Sequence, residues 1–145
     1  MSLSITLIII IITVLISIGG FSNQRIIDDL IFYPPAISQR KQWYRFFTCG
    51  LIHADYMHLI FNMFSFYMFG EFVEDAFSSP ILFGEKGKLL YLGMYVLALF
   101  FCLFPTFAKH KNDYHYRSLG ASGAVSAVVF AGILFDPTAK LGFFF

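Results

Sequence analysis

The sequence predicts an all-α fold, a polytopic transmembrane helix bundle with four spans. Hydrophobic residues make up 58% of the chain and charged residues only 13%, whereas about a quarter of the residues in soluble domains are charged. Four long apolar stretches are separated by polar connections. Backbone groups in lipid must be paired within the segment, so these stretches are helices, because barrel strands would be shorter and would alternate. A length of 145 residues fits a single membrane domain covering residues 1–145.

The first predicted span carries five consecutive isoleucines, at positions 8–12, and no charge, and it is long enough to cross about 30 Å of hydrocarbon. A cleavable signal peptide typically carries positive charge ahead of its apolar core, and Met1 and Ser2 provide no charged side chain. We therefore expect a retained span. The second span is rich in aromatic residues, and the fourth is rich in small residues. The four spans are expected at about 3–21, 53–72, 89–108 and 119–135.

The first connection, Ser22 to Thr48, is too polar to cross the membrane. It holds Trp43, Tyr44 and Arg45 in a row, residue types that anchor protein at the membrane interface. The first and third connections contain seven Lys and Arg, and the second and fourth contain three. The positive-inside rule would therefore place the first and third connections in the cytoplasm.

Composition excludes several classes of function. A net charge of +1 gives no basic face for nucleic acid. Cys49 and Cys102 lie in or beside different apolar segments without a CxxC pattern, so both are expected to be small buried residues rather than partners in a disulfide. His53 and His58 are five residues apart and do not share a helical face, so a zinc site is disfavoured. No metal or cofactor is expected.

Three polar residues in apolar surroundings are the candidate site, because polar groups are costly in a bilayer. His58 and Asn62 are four residues apart and share one helix face, where they could donate hydrogen bonds to an oxyanion. Ser122 stands in the run Gly-Ala-Ser-Gly (residues 120–123) at the head of the fourth span, where unpaired N–H groups are available. Ser122 would need a base to act as a nucleophile. The alternative is that Ser122 serves only in helix packing and that His58 and Asn62 form hydrogen bonds to neighbouring helices.

The motifs WYRFFT (43–48), HLIFNM (58–63) and GASGA (120–124) resemble, in order and spacing, those of rhomboid intramembrane serine proteases. The resemblance implies a rhomboid-like fold with four spans of an expected six. It implies that Ser122 is the nucleophile of a Ser-His dyad and that His58 and Asn62 help to form the oxyanion hole. It also implies structural or loop-anchoring roles for Trp43, Arg45, His53 and Glu74.

The dyad histidine of that family lies on the sixth helix, and no histidine follows Ser122 in this sequence. We therefore expect the dyad histidine to be absent and the chain to be truncated at its C-terminus. His115 could approach Ser122 only from the preceding connection. Family topology puts the first connection on the extracytoplasmic side. We follow the family here, because the cations of a membrane-embedded loop need not obey the charge rule.

The function predicted from the resemblance is an intramembrane serine endopeptidase that cleaves transmembrane or membrane-adjacent segments of other membrane proteins. The expected partners are such substrates and the lipid bilayer, in a multi-pass protein of the bacterial inner (plasma) membrane. The alternative is an inactive rhomboid-like protein, a pseudoprotease or fragment, that binds transmembrane clients without cutting them. A transporter or channel subunit is disfavoured, because the spans offer few acidic residues for an ion relay.

Overall fold

Four long helices form the bundle, and shorter helices fill the connections between them. The structure, a computed structural model, describes residues 3–138. These residues contain no strand, and the only strand-like pairing among them is an isolated bridge between Phe32 and Ser118. The all-α bundle predicted from the sequence is confirmed. The elements are α1 (Ile5–Ser22), α2 (Gln24–Leu30), α3 (Pro34–Arg40), α4 (Arg45–Thr48), a 3-10 turn (Cys49–Leu51), α5 (Tyr56–Ser78), a second 3-10 turn (Gly84–Lys86), α6 (Gly87–His110) and α7 (Ser122–Phe135).

Helix α1 turns its polar residues inward and its large aliphatic residues outward. Thr6, Thr13 and Ser17 are buried, whereas Ile11 and Leu15 are exposed. This arrangement is the reverse of that in a soluble helix, and it suits a helix whose outer face meets lipid. By length and composition, two stretches of the described residues could cross a membrane, Ile5–Ser22 and Gly84–His110. Helix α5 has 23 residues, which is also long enough to cross.

Helix α5 lies at the centre and packs against α1, α6 and α7. The shared core is apolar and takes residues from three helices and from the turn before α7. Large side chains of α5 and α6 interlock there with small side chains at the start of α7. The core residues are Leu59, Met63, Phe66, Val73, Tyr91, Tyr95, Leu99, Ala121, Ala124, Val125 and Val128.

The small residues of α7 are packing residues, as the alternative interpretation of that segment proposed. A Cβ on Gly123 would lie 2.5 Å from Cys102 Sγ, and one on Gly132 would lie 3.0 Å from Cδ1 of Phe69. Ser122, however, is exposed. The packing interpretation therefore explains these glycines but not Ser122.

The first connection is more ordered than the predicted long loop. It folds into α2, α3 and α4 around a second core of Phe32, Ile37, Phe46 and Cys49. Burial raises the pKa of the Cys49 thiol to about 12, which fits an inert packing residue. Both cysteines are free thiols, but Cys102 is exposed, so the prediction that it is buried is wrong.

Two helix starts differ from the predicted span limits. Helix α5 begins at Tyr56 rather than at residue 53, because the Asp55 side chain caps it by accepting from the N–H of His58 (2.8 Å). His53 therefore lies ahead of the helix. Helix α7 begins at Ser122 rather than at residue 119, because Gly120 bends the chain with φ +109°.

Candidate active site

Ser122, His58, Asn62 and His53 line one hollow of about 140 Å³ between the start of α5 and the turn before α7. Leu119 and Gly120 complete its wall from the α7 side. The sequence predicted that these polar residues are close together only through the family resemblance, because Ser122 is far from the other three along the chain. Their meeting is a property of the tertiary fold.

Ser122 is the first residue of α7, and the preceding turn sets its exposure. Gly120 has φ +109°, a conformation that side chains other than glycine rarely adopt. Its N–H donates to the carbonyl of Cys49 (2.8 Å), which fixes the turn to the first connection. The first N–H groups of a helix have no intrahelical partner, and at the start of α7, where Ser122 is the first residue, no side chain takes that place.

His53 ties three segments together. Its Nδ1 lies 3.0 Å from Ser17 Oγ, which also donates to the carbonyl of Leu51 (2.9 Å), and its Nε2 accepts from the N–H of Ala121 (3.4 Å). These partners fit a neutral ring with the proton on Nδ1, because Nε2 must accept. Burial, and then the nearby His58, lower the pKa of His53 to about 4. A neutral His53 thus holds the residue next to Ser122 in place.

His58 is oriented by Asp55. Nδ1 of His58 lies 2.8 Å from Oδ2 of Asp55, and both side chains are exposed. The backbone N–H of His58, and then its side chain, hold the pKa of Asp55 below its ordinary value. Since a carboxylate only accepts, the proton of His58 resides on Nδ1. A neutral His58 then presents an acceptor at Nε2, and a protonated His58 presents a donor there.

Asn62 lies one turn further along α5. Its Nδ2 donates to the backbone carbonyl of His58 (2.8 Å), so one amide hydrogen is used inside the helix. The second amide hydrogen and the side-chain oxygen make no other hydrogen bond among residues 3–138. Asn62 therefore keeps one donor for a ligand in the hollow.

The other residues of the resemblance lie away from the hollow and hold the fold together. Arg45 is 7% exposed, and its Nη1 donates to the carbonyls of Asp28 (2.9 Å) and Ile31 (2.8 Å). Trp43 stacks on Phe46 with ring centroids 5.7 Å apart. These contacts fix the first connection.

Glu74 is buried near the C-terminal end of α5, and it binds the start of α1. Its carboxylate accepts from the N–H groups of Ile5 (2.9 Å) and Thr6 (2.8 Å), from Thr6 Oγ1 (2.9 Å) and from Lys88 Nζ (3.1 Å). A carboxylate with several donors stays ionised at low cost. Glu74 therefore joins α1 to α5 rather than fixing the end of α5 alone.

Of the two remaining histidines, His110 is the last residue of α6 and His115 lies in the connection before α7, and neither lines the hollow. Nδ1 of His110 is 3.1 Å from Oδ2 of Asp113, and the ring stacks on Tyr116 with centroids 3.8 Å apart. The N–H of His115, and then His110, lower the pKa of Asp113. Neither histidine reaches Ser122, and no described residue hydrogen-bonds the Ser122 hydroxyl.

Sequence reasoning missed two residues of the site, Asp55 and Ser17. Asp55 stands three residues before His58, at the N-cap position of α5, and Asp is a preferred N-cap residue. That spacing could have identified it. Ser17 had only one signal, which was its polarity within an aliphatic span. No group of three or more metal-ligating side chains occurs among residues 3–138.

Comparison with known proteins places the chain beside a family model and a curated relative. The family model described as the Rhomboid domain matches residues 40–145. The curated "Rhomboid-like protein 15" of Arabidopsis thaliana is 31% identical over 111 residues, in an alignment that covers 74% of this chain and 25% of the relative. The chain thus spans about a quarter of the length of that relative.

Proposed function

The chain belongs to the rhomboid family, and on this premise we propose that it is an intramembrane serine endopeptidase. The family and the apolar helices make it a membrane protein. Its substrates would be transmembrane or membrane-adjacent segments of other membrane proteins. It would cross the membrane several times, through α1, α5, α6 and α7. The bacterial inner membrane stays a prediction of the sequence, because the relative is a plant protein.

The observation that carries the proposal is the shared hollow of Ser122, His58 and Asn62. A serine used only for packing would be covered, but Ser122 is exposed while the glycine beside it is in tight contact. Hydrogen-bond donors stabilise a developing negative charge more strongly in such a site than in water. The hollow has room for a peptide carbonyl and for the water that would hydrolyse the ester formed between Ser122 and the substrate.

In the proposed mechanism, Ser122 Oγ attacks the scissile carbonyl and forms a tetrahedral oxyanion. The N–H of Ser122 at the head of α7, the free amide hydrogen of Asn62 and Nε2 of His58 would donate to that oxyanion. His58 can donate from Nε2 only when it is protonated, because Asp55 already takes the Nδ1 proton. Asp55 would then balance the charge of the imidazolium.

The mechanism needs a general base, because a serine hydroxyl is a weak nucleophile at its own pKa. In the family the base is a histidine of the sixth helix, and no histidine follows Ser122 in this sequence. His53 does not fit the role, because its Nε2 already accepts from Ala121 N–H. A neutral His58 would have the right chemistry but makes no hydrogen bond to Ser122 Oγ.

A serine-directed fluorophosphonate tests the proposal. The full gene product in native membranes should be labelled, and Ser122→Ala should abolish the labelling. Ser126→Ala is the matched control, because Ser126 is exposed one turn further along α7 and does not line the hollow. Equal labelling of the Ser122→Ala variant and the unaltered protein would reject the proposal.

One observation favours the second candidate, a non-cleaving binder of transmembrane clients. No residue within 3–138 acts as a base on Ser122. Photocrosslinking to single-span membrane proteins, followed by gel analysis, separates the two functions. Crosslinked but intact clients, in membranes where the fluorophosphonate does not label Ser122, would support the binder.

A further inference from the structure

A second pocket, remote from Ser122, is lined by three arginines. Arg40 at the end of α3, Arg45 at the start of α4 and Arg117 in the connection before α7 surround a cavity of about 270 Å³. One carboxylate, that of Asp28, lies in the same wall. Three guanidiniums against one carboxylate leave the pocket strongly cationic. We propose that this pocket binds the phosphate of an anionic lipid headgroup.

Two of the three guanidiniums, those of Arg45 and Arg117, are held in place before any ligand arrives. Arg45 is fixed by its Nη1 bonds to two backbone carbonyls and by the bond from Nε to Gln42 Oε1 (2.7 Å). Arg117 lies over the Tyr33 ring, 5.1 Å from its centroid, and is 3.9 Å from Asp28. A site with fixed donors loses less conformational entropy when it binds.

Donors remain free for an oxyanion. Nη2 of Arg45 has no hydrogen-bond partner in the described part of the chain, and Arg40 has no ion pair there. The Arg117–Asp28 separation of 3.9 Å is that of a weak, exposed pair. Arginine forks match the oxygen geometry of phosphate and can bind it with two hydrogen bonds each.

The position of the pocket favours a lipid over a soluble anion. Trp43 and Tyr44, directly before Arg45, are 44% and 46% exposed, and such side chains lie at the level of lipid headgroups. The pocket therefore opens where phosphates are concentrated, and cations there attract anionic lipids. Binding at Arg117 would also affect the segment that leads to Ser122. The neighbouring Ser118 is joined to Phe32 of the first connection by two hydrogen bonds of 2.9 and 3.1 Å.

The test uses the fluorescence of Trp43, the one tryptophan of the chain, with the protein in uncharged detergent micelles. Short-chain phosphatidylglycerol should give a saturable change, and short-chain phosphatidylcholine a much weaker one. Arg40→Gln with Arg117→Gln should raise the Kd for phosphatidylglycerol about tenfold or more. Arg25→Gln, which removes a charge of the same connection outside the pocket, should change it less than about twofold.

Arg117→Lys keeps the charge but loses the planar fork, so it should bind with intermediate affinity. Circular dichroism melts show whether each variant is folded. Inorganic phosphate is the third ligand, and binding as tight as that of phosphatidylglycerol would overturn the lipid as the occupant. Equal binding of the two lipids, or equal losses in the pocket variant and Arg25→Gln, would overturn the site itself. None of these readouts depends on Ser122.

Discussion

At the scale of single residues, buried polar groups decide what the site can do. His53 shows this most clearly, because it is 1% exposed and yet meets Ser17 on one side and Ala121 on the other. Its bond to Ala121 N–H requires an unprotonated Nε2. Protonation would turn two donors toward each other beside Ser122. The geometry next to Ser122 therefore depends on a neutral His53.

This dependence predicts that stability falls in acid through His53. Its pKa is about 4 in the folded protein against an ordinary value of 6.5, so the unfolded chain binds more protons between these values. The contribution of neutral His53 to the free energy of unfolding is fully present above about pH 6.5. It decreases as the pH falls toward 4, by up to about 3 kcal/mol. Unfolding in detergent followed by circular dichroism measures it.

His53→Asn is the comparison for that measurement, since asparagine does not titrate. The variant should be less stable at pH 7.5 but should vary less with pH between 6.5 and 4. Asp55 and Asp113 have lowered pKa values, so both proteins share any loss that these carboxylates cause at lower pH. Equal slopes for the two proteins in this window would show that His53 is not the titrating group.

At the scale of elements, the junction of α1, α5 and α6 holds the bundle together at the end opposite the site. Thr6 bonds Glu74 (2.9 Å) and Tyr91 (2.7 Å), and Ser4 donates to Glu71. Thr6, Glu74 and Tyr91 lie on three different helices, and Ser4 is the residue that precedes α1. Such contacts replace the hydrophobic effect, which does not drive helices together in lipid.

Gly70 makes this junction possible, so Gly70→Ala should disrupt it. An added Cβ would lie 2.6 Å from Thr6 Cγ2 and 2.7 Å from the Tyr91 hydroxyl, two groups that cannot move without losing their hydrogen bonds. We expect a loss of about 1–3 kcal/mol, as for other overpacked cores. Thermal unfolding in detergent checks this value.

Gly93→Ala is the matched control, because it makes the same change within α6 where nothing lies within 4 Å of the new Cβ. Replacing a helical glycine by alanine in open space should leave the protein equally or slightly more stable. If both variants lost the same stability, the close packing at Gly70 would not be the cause.

At the scale of the whole molecule, the fold gathers alternate connections at opposite ends of the bundle. The Phe32–Ser118 bridge joins the first connection to the third. Glu74 joins the start of α1 to the end of α5 at the other end. Helix α6 has 24 residues and is therefore about 36 Å long, more than the hydrocarbon thickness. Its two ends should lie on opposite sides of the membrane.

This arrangement predicts the accessibility of single cysteines placed in a variant with Cys49→Ala and Cys102→Ala. Lys111→Cys, after α6, should react with a membrane-impermeant maleimide added to intact cells, as the family topology implies. Glu85→Cys, before α6, should react only after the cells are opened. Both positions are exposed. Labelling of Glu85→Cys alone in intact cells would invert the topology and would agree with the positive-inside count.

The sequence by itself determined the class of fold and the family. Long apolar runs in lipid have to be helices, so four helices could be predicted from composition, with the largest difference at α5, which ends at Ser78 rather than at residue 72. The helix starts could not be predicted as closely, because Asp55 and Gly120 set where α5 and α7 begin, through capping and a positive φ that hydropathy does not register. The motifs around residues 45, 58 and 122 were sufficient for the resemblance to the rhomboid family.

Only the tertiary structure decided which polar residues meet. Ser17, His53 and Ala121 belong to three separate segments, and no local pattern links them. The same is true of the three arginines, which a count of loop charges treats as a signal of orientation although the fold gathers them into one pocket. The physical reason is that hydropathy and helical period are local properties, whereas hydrogen bonds and charge clusters depend on contacts between distant segments.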